Sequence, residues 1–233
     1  VAKIGKAAED TSVSISDCTN TGAVTSKITG NAVFNIGGIV GWTSVPVTGS
    51  GANKLQNNGA VTVASGSEMS EVNAGGVIGR SISTFNTIYN AVGGTVTVFT
   101  SDIQNCPFRV GGIAGYMEKD YKRAGDNDAE KAKELTFMQG NNSAAINVYG
   151  GKSTTDDCFV ADIVAVPKAV RVSSNGTGWD KCNTNYGDIY VDSSAKLRVG
   201  GVLGQIGALN GGDGNTTRCK NRGDITVIRQ EHT

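Results

Sequence analysis

The sequence repeats itself along most of its length, and this repetition constrains the fold more than any other feature. A glycine-pair motif occurs four times, as N-I-G-G-I-V-G from Asn35, N-A-G-G-V-I-G from Asn73, R-V-G-G-I-A-G from Arg109 and R-V-G-G-V-L-G from Arg198. A decayed fifth copy, V-A-D-I-V-A, runs from Val160 to Ala165, and Asp162 replaces its second glycine. Self-similarity of this kind is the sequence signature of solenoids, propellers and arrays.

A second motif alternates with the first, with a period of about 36 to 39 residues. Its copies are G-A-V-T from Gly22, G-A-V-T-V from Gly59, G-T-V-T-V from Gly94, A-A-I-N-V from Ala144, G-D-I-Y-V from Gly187 and G-D-I-T-V from Gly223. The strict alternation predicts a half-buried strand, with Val61 and Val63 on one face and Thr62 on the other.

Units of two or three short strands cannot bury their apolar faces alone, so successive units must stack and share one core. We therefore expect an all-β chain, a single parallel β-solenoid domain over residues 1–233 with about five to six coils. Abundant glycine and scarce proline agree with short strands and turns. A series of β-hairpins in a sandwich or barrel is the competing architecture, because the turn spacing alone permits it.

An insertion at residues 117–136 stretches one repeat. Within it, A-E-K-A-K-E-L predicts a short exposed helix that Asp126 or Asp128 caps. The same acidic residues could instead form a calcium loop, but the later glycine and glutamate of such a loop are missing.

A recurring asparagine precedes the second motif, and stacking would place its copies in a ladder along the solenoid axis: Asn20, Asn57, Asn183 and Asn221.

The cysteines Cys18 and Cys219 hold equivalent places in their repeats, and Cys182 lies one residue away from that place in its own repeat. This placement favours small buried thiols, with a bridge between Cys182 and Cys219 as the alternative.

The G-G-[IV]-x-G strand that follows an N-x-G-x-[IV] strand resembles the GLUG-type repeats of bacterial surface proteins. The resemblance covers nearly the whole chain apart from 117–136 and the two ends. It implies a right-handed β-helix, a cell-surface or secreted location, and an adhesive or glycan-handling role. The substitution at Asp162 departs from the repeat, so that coil is expected to be locally irregular.

Several function classes are excluded or weakened by composition. Zero net charge with scattered Lys and Arg argues against nucleic acid, and no apolar run is long enough for membrane insertion. The single histidine, His232, argues against His-based catalysis or metal binding, so we expect no metal and no cofactor. Asp188 and Asp224 are equivalent carboxylates in adjacent coils, but an open ladder lacks the cleft that a glycosidase needs.

The glycine-pair motif also poses a question about its faces. Ile39 has the opposite parity to Ile36 and Val40, so a straight strand would turn one apolar residue outward. The equivalents of Ile39 in the other copies are Val77, Ile113, Ile163 and Val202. These residues are expected either to lie beneath a covering segment such as 117–136 or to form an exposed apolar strip for an interaction.

The residue after the motif gives the candidate binding site. Trp42, Arg80 and Tyr116 should form a column on the outer face of consecutive coils, where aromatic rings and a guanidinium could bind a sugar. The leading hypothesis is a non-catalytic cell-surface adhesion or binding module that engages a glycan or protein on a host or neighbouring cell. The alternatives are a β-helical polysaccharide lyase or glycosidase, and a structural spacer of a longer stalk.

Overall fold

The computed structural model describes residues 3–4, 14–27, 33–50, 55–64, 70–118, 135–152, 158–168, 170–173, 182–205 and 219–228. These residues form 25 strands and contain no helix. Across the same ranges, no helical segment suitable for crossing a bilayer was found.

The strands, numbered in chain order, form four sheets. Sheet I contains β5 (Val33–Gly37), β10 (Glu71–Gly75), β14 (Phe108–Gly111), β18 (Cys158–Ala161) and β23 (Leu197–Gly200). Sheet II contains β1 (Lys3–Ile4), β6 (Val40–Thr43), β11 (Ile78–Ser81), β15 (Ala114–Glu118) and β19 (Val164–Lys168). Sheet III contains β2 (Ile15–Ser16), β3 (Thr19–Asn20), β7 (Val47–Thr48), β8 (Leu55–Asn57), β12 (Phe85–Asn90), β16 (Leu135–Asn142), β20 (Val170–Ser173), β21 (Asn183–Asn185) and β24 (Cys219–Asn221). Sheet IV contains β4 (Val24–Lys27), β9 (Val61–Ala64), β13 (Val96–Asn105), β17 (Ile146–Lys152), β22 (Ile189–Asp192) and β25 (Ile225–Ile228).

Equivalent strands of successive repeats pair in parallel and in register. Val61 of β9 lies between Val24 of the preceding coil and Val96 of the following one. The chain passes through sheets I, II, III and IV in turn and then begins the next coil. The predicted all-β, parallel β-solenoid is therefore confirmed, and the hairpin alternative is wrong because each strand pairs with its counterpart one repeat away.

The glycine-pair motif bends between two sheets, which answers the question about its faces. Gly38 and Ile39 form a bend between β5 of sheet I and β6 of sheet II. Ile36 packs in a core cluster between sheets I and IV, whereas Ile39 and Val40 pack in a second cluster between sheets II and III. Of the two alternatives for this face, the exposed strip is therefore wrong at Ile39, Val77, Ile113 and Ile163, which are buried in the core between sheets II and III. Val202, in the last copy, is half-buried.

The bend at each glycine pair lies against an asparagine of the same coil. A Cβ atom added to Gly38 would lie 2.3 Å from Asn57 Oδ1, and one added to Gly76 would lie 2.3 Å from Asn90 Nδ2. Gly112 and Gly201 stand in the same relation to the asparagines of their own coils. Only glycine allows so close an approach, so the second glycine of the motif sets the position of the bend.

The asparagines form a hydrogen-bonded ladder through the interior. The side-chain Nδ2 of each donates to Oδ1 of the next, over 2.8 Å from Asn20 to Asn57, 2.9 Å from Asn57 to Asn90 and 2.8 Å from Asn90 to Asn142. Asn185 donates to Asn221 over 2.6 Å. The ladder was predicted, but its member in the fifth coil is Asn185 and not Asn183, whose Oδ1 accepts the amide of Gly140.

The two ends of the predicted insertion at 117–136 lie within the described residues. Residues 117–118 end β15 and residues 135–136 begin β16, so the insertion is shorter than 117–136 at both ends. The predicted helix and its caps at Asp126 or Asp128 lie outside the described residues.

All five cysteines are free thiols, which contradicts the alternative of a bridge between Cys182 and Cys219. Cys106, Cys158 and Cys182 are buried, but Cys18 is exposed in the first coil.

The contact between bend and ladder can be tested with Gly76→Ala. The new methyl would lie 2.3 Å from the ladder atom Asn90 Nδ2 and 2.2 Å from the carbonyl oxygen of Gly112, so the backbone or the ladder must shift. We expect the free energy of unfolding, measured by urea denaturation, to fall by about 1–3 kcal/mol. Gly22→Ala is the matched control, because its methyl would lie 3.8 Å from the nearest atom, Asn20 Oδ1. An equal loss in both variants would contradict the close contact.

Candidate functional site

The outer faces of sheets I and II converge into a furrow along the solenoid. A Cβ added to Gly79 of sheet II would lie 2.4 Å from the amide nitrogen of Ile36 in sheet I, so the two backbones touch near the bend. Beyond this contact, Arg109 of sheet I lies over the ring of Tyr116 in sheet II, with 4.6 Å between the guanidinium carbon and the ring centroid. We call the outward side chains of these two sheets the furrow residues: Asn35, Glu71, Asn73, Arg109, Phe159 and Arg198 on sheet I, with Trp42, Arg80, Tyr116, Glu118 and Val166 on sheet II.

The three residues predicted as a glycan-binding column lie next to one another in this furrow. Arg80 pairs with Trp42 on one side and with Tyr116 on the other. The Tyr116 residue is only 8% exposed, and the Arg80 guanidinium carbon lies 5.2 Å from its ring centroid. The protein's own cationic groups therefore already occupy much of the space around this ring.

Acidic residues pair with the cationic groups of the furrow. Arg109 Nη1 lies 2.6 Å from Glu71 Oε1, and it also donates to Asn73 Oδ1 over 3.1 Å. Arg80 Nη2 lies 3.6 Å from Glu118 Oε2. Around Tyr116, two arginines thus face two glutamates, and the formal charges of these four side chains cancel.

The hydroxyl of Tyr116 also belongs to this network. It donates to Glu118 Oε2 over 2.7 Å. Burial, together with this hydrogen bond, raises the pKa of Tyr116 well above its usual value, so the phenol stays neutral. Around Tyr116 the furrow residues form a polar network that satisfies most of its own groups, although Arg80 Nε is buried without a hydrogen-bond partner.

A second surface, which the sequence analysis missed, lies on the outer face of sheet IV. Phe99 and Tyr149 stack in adjacent coils with ring centroids 5.2 Å apart and an interplanar angle of 17°. The ring centroid of Tyr190, in the next coil, lies 5.7 Å from that of Tyr149. Phe99 is 40% exposed and the two tyrosines are half-buried, so the three rings form an accessible row that we call the aromatic strip.

Small polar side chains lie beside the aromatic strip on the same face. Thr97 pairs with Thr62 of the preceding coil and Asn147 of the following one, and Tyr190 pairs with Thr226. The sheet therefore presents hydroxyl and amide groups next to aromatic rings on one regular backbone. The sequence did contain a signal for this surface, because alternation in V-T-V-F and I-N-V-Y places Phe99 and Tyr149 on the outward face of their strands.

The acidic residues considered for catalysis have structural contacts where the structure describes them. Asp188 Oδ1 accepts the backbone amide of Asp224 over 2.8 Å, so this carboxylate joins two coils. In the described ranges, no three His, Cys, Asp or Glu residues are grouped to hold a metal ion. Asp126, Asp128 and His232 lie outside those ranges.

Asp162, which replaces a motif glycine, is a fully buried carboxyl inside the ladder. Asn142 Nδ2 donates to Asp162 Oδ1 over 2.9 Å, in the place where the other ladder residues donate to the next asparagine. Its second oxygen, Oδ2, has no hydrogen-bond partner. Burial raises the pKa of Asp162 to about 8, so the group is mostly protonated at neutral pH.

Asp162 should make stability depend on pH. Its pKa is higher in the folded chain than in the unfolded chain, so folding is favoured at low pH, and stability falls as pH rises from about 4 to about 8. We expect Asp162→Asn to gain stability relative to wild type over that window, by at most about 1.4 kcal/mol per pH unit. Urea denaturation at pH 5 and pH 9 measures this, with exposed Asp224→Asn as the control. Parallel pH profiles for wild type and Asp162→Asn would contradict the assignment.

Comparison with known proteins assigns no family. No family model matches the chain, no curated protein matches it, and no solved structure matches it. The GLUG-type resemblance therefore stays a prediction from the repeat.

Proposed function

We propose that this protein is a non-catalytic binding module of the cell surface or the secreted fraction, and that it engages a glycan along the flank of the solenoid. The observation that carries the proposal is the aromatic strip of Phe99, Tyr149 and Tyr190, which is accessible on the outer face of sheet IV beside Thr97 and Asn147. The GLUG-type resemblance supports the location, since such repeats are typical of bacterial surface proteins.

The chemistry of the strip suits an extended sugar chain. Aromatic side chains present an apolar surface with a polar tip, which matches the mixture of C–H and hydroxyl groups on a pyranose ring. Thr62, Thr97 and Asn147 supply donors and acceptors beside the rings. Because strand pairing fixes these positions, little additional ordering is needed on binding, and preorganisation of this kind favours affinity.

The aromatic strip is a better contact surface than the furrow. Phe99 is 40% exposed, whereas Tyr116 in the furrow is 8% exposed. A ligand in the furrow would have to compete with the contacts that Arg80 and Glu118 make with Tyr116. A ligand on the aromatic strip contacts rings that are already partly exposed, so it has fewer existing contacts to displace.

A glycan-array screen followed by titration tests the proposal. We expect wild type to bind a defined glycan, and the Phe99→Ala, Tyr149→Ala double variant to lose about fivefold or more in affinity, since two ring contacts contribute about 1–3 kcal/mol. Tyr186→Ala is the matched control, because Tyr186 is 51% exposed but lies off the strip. Its affinity should equal that of wild type.

Three other outcomes would change the proposed site, the ligand class or the non-catalytic assignment. Loss of binding in Trp42→Ala with full binding in the double variant would move the site to the predicted column in the furrow. Failure of wild type to bind any glycan would overturn the proposal and leave a protein ligand as the alternative. Release of reducing ends from a bound polysaccharide would contradict the non-catalytic assignment and favour a lyase or glycosidase.

A further inference from the structure

The aromatic strip runs across the strands of sheet IV and not along them. Phe99 lies in β13, Tyr149 in β17 and Tyr190 in β22, so each ring belongs to a different coil. Successive ring centroids are 5.2 and 5.7 Å apart. Strands two steps apart in a sheet are separated by about 10 Å, so the row extends over that length in the direction of the solenoid axis.

The stacked rings are offset, so neither covers the other completely. Ring planes in van der Waals contact are about 3.5–4.0 Å apart, which is less than the 5.2 Å between the centroids of Phe99 and Tyr149. In the preceding coil the neighbour of Phe99 is Ala64, since Val98 pairs with Val63, and its methyl group is too small to cover the ring. Part of the ring faces, and not only the ring edges, is therefore open to a ligand.

The surface beside the strip is low and uncharged. Within residues 60–64, 95–99 and 145–149, every outward position except Phe99 and Tyr149 carries a small neutral side chain: Ala60, Thr62, Ala64, Thr95, Thr97, Ala145 and Asn147. A site for the end of a sugar chain needs a wall that encloses this end, as in a concave pocket. No side chain within these three ranges supplies such a wall, so a sugar chain can continue past the rings in both directions.

The charge at the Tyr190 end of the strip is acidic. Asp188 is exposed and precedes Tyr190 by two residues, so both side chains lie on the outer face of the sheet. Asp192, which pairs with Tyr149, is a second carboxylate at this end. Lys27 of the same face lies two coils before Phe99. An acidic sugar on the strip would therefore meet like charges, and the three ranges above contain no cation to compensate them.

We infer that the aromatic strip binds an internal stretch of a linear polysaccharide without acidic groups, and that the sugar chain runs across the strands along the solenoid axis. This inference rests on the proposed glycan function and names its class of ligand. A pyranose ring is about the size of a phenyl ring, so consecutive sugar units in this direction contact Phe99, Tyr149 and Tyr190 in turn. A sugar chain that ran along one strand would meet only one of the three rings.

The length dependence of binding tests the direction of the sugar chain. The probes are linear glucose, mannose and galactose oligomers of one to six units, titrated by isothermal calorimetry. We expect the affinity in a bound series to rise about two- to tenfold per unit up to three units and then to level off. Tyr190→Ala should abolish the gain from the third unit and change the affinity for two units by no more than about twofold. Tyr186→Ala, the matched control, should keep the profile of wild type.

Stoichiometry on long polymers tests internal binding. The number of protein copies bound per polymer should rise with polymer length, whereas a protein that recognises chain ends saturates at one or two copies. The matched acidic probe is the same polymer with part of its hydroxymethyl groups oxidised to carboxylates. It should bind about two- to fivefold more weakly at low salt, and Asp188→Asn should reduce this difference. The asparagine can still accept the amide of Asp224, so the coil contact is retained.

The controls separate this inference from the proposed function. Some outcomes would overturn the inference alone, provided that the Phe99→Ala, Tyr149→Ala variant loses binding: an affinity independent of oligomer length, saturation at the chain ends, or undiminished binding of the acidic polymer. Binding confined to branched or terminal sugars in the array would also overturn it. Failure of wild type to bind any glycan would overturn both the inference and the proposed function.

Discussion

The structure depends on the contact between the glycine bend and the asparagine ladder. Because glycine has no side chain, Gly38 and its equivalents bring the backbone against Asn57 and its equivalents inside the coil. That contact divides the core into one cluster between sheets I and IV and another between sheets II and III. It also draws sheet II onto the outer face of sheet I, and the furrow with its paired charges follows from this approach.

The ladder is stable because every buried amide has partners. Asn57 donates to Asn90 and to the carbonyl of Gly59, and it accepts from Asn20. An unpaired buried amide would cost about 1–3 kcal/mol, so a shift in strand register between neighbouring coils is penalised at each asparagine of the ladder. Asp162 is the informative exception, because it accepts from Asn142 but leaves one carboxyl oxygen without a partner. Protonation reduces the cost of burying that carboxyl, which explains its raised pKa.

The sequence predicted those features that recur at a fixed phase. Alternation identified Val61 and Val63 as core residues and sheet IV as a stack of parallel strands. The alternation rule wrongly turned Ile39 outward, because counting residues along a straight strand cannot reveal a bend between two sheets. The ladder was assigned to Asn183 instead of Asn185 because two asparagines precede the glycine in that repeat. The aromatic strip was missed because its outward position carries alanine, phenylalanine, tyrosine and aspartate in successive coils, so no repeat marks it.

This difference between inward and outward positions bears on where binding occurs. An inward residue must pack against its counterparts above and below, so stacking selects similar residues at each coil. An outward residue of sheet IV has no such partner in the core and can differ from coil to coil without loss of packing. Furrow residues lack that freedom, because Arg109 contacts Glu71, Asn73 and Tyr116 at once. Removing one charge there would leave another partly buried without its partner, whereas the strip can change at little cost to folding. This freedom supports the proposal of a glycan site on sheet IV, where side chains can suit a ligand independently of the fold.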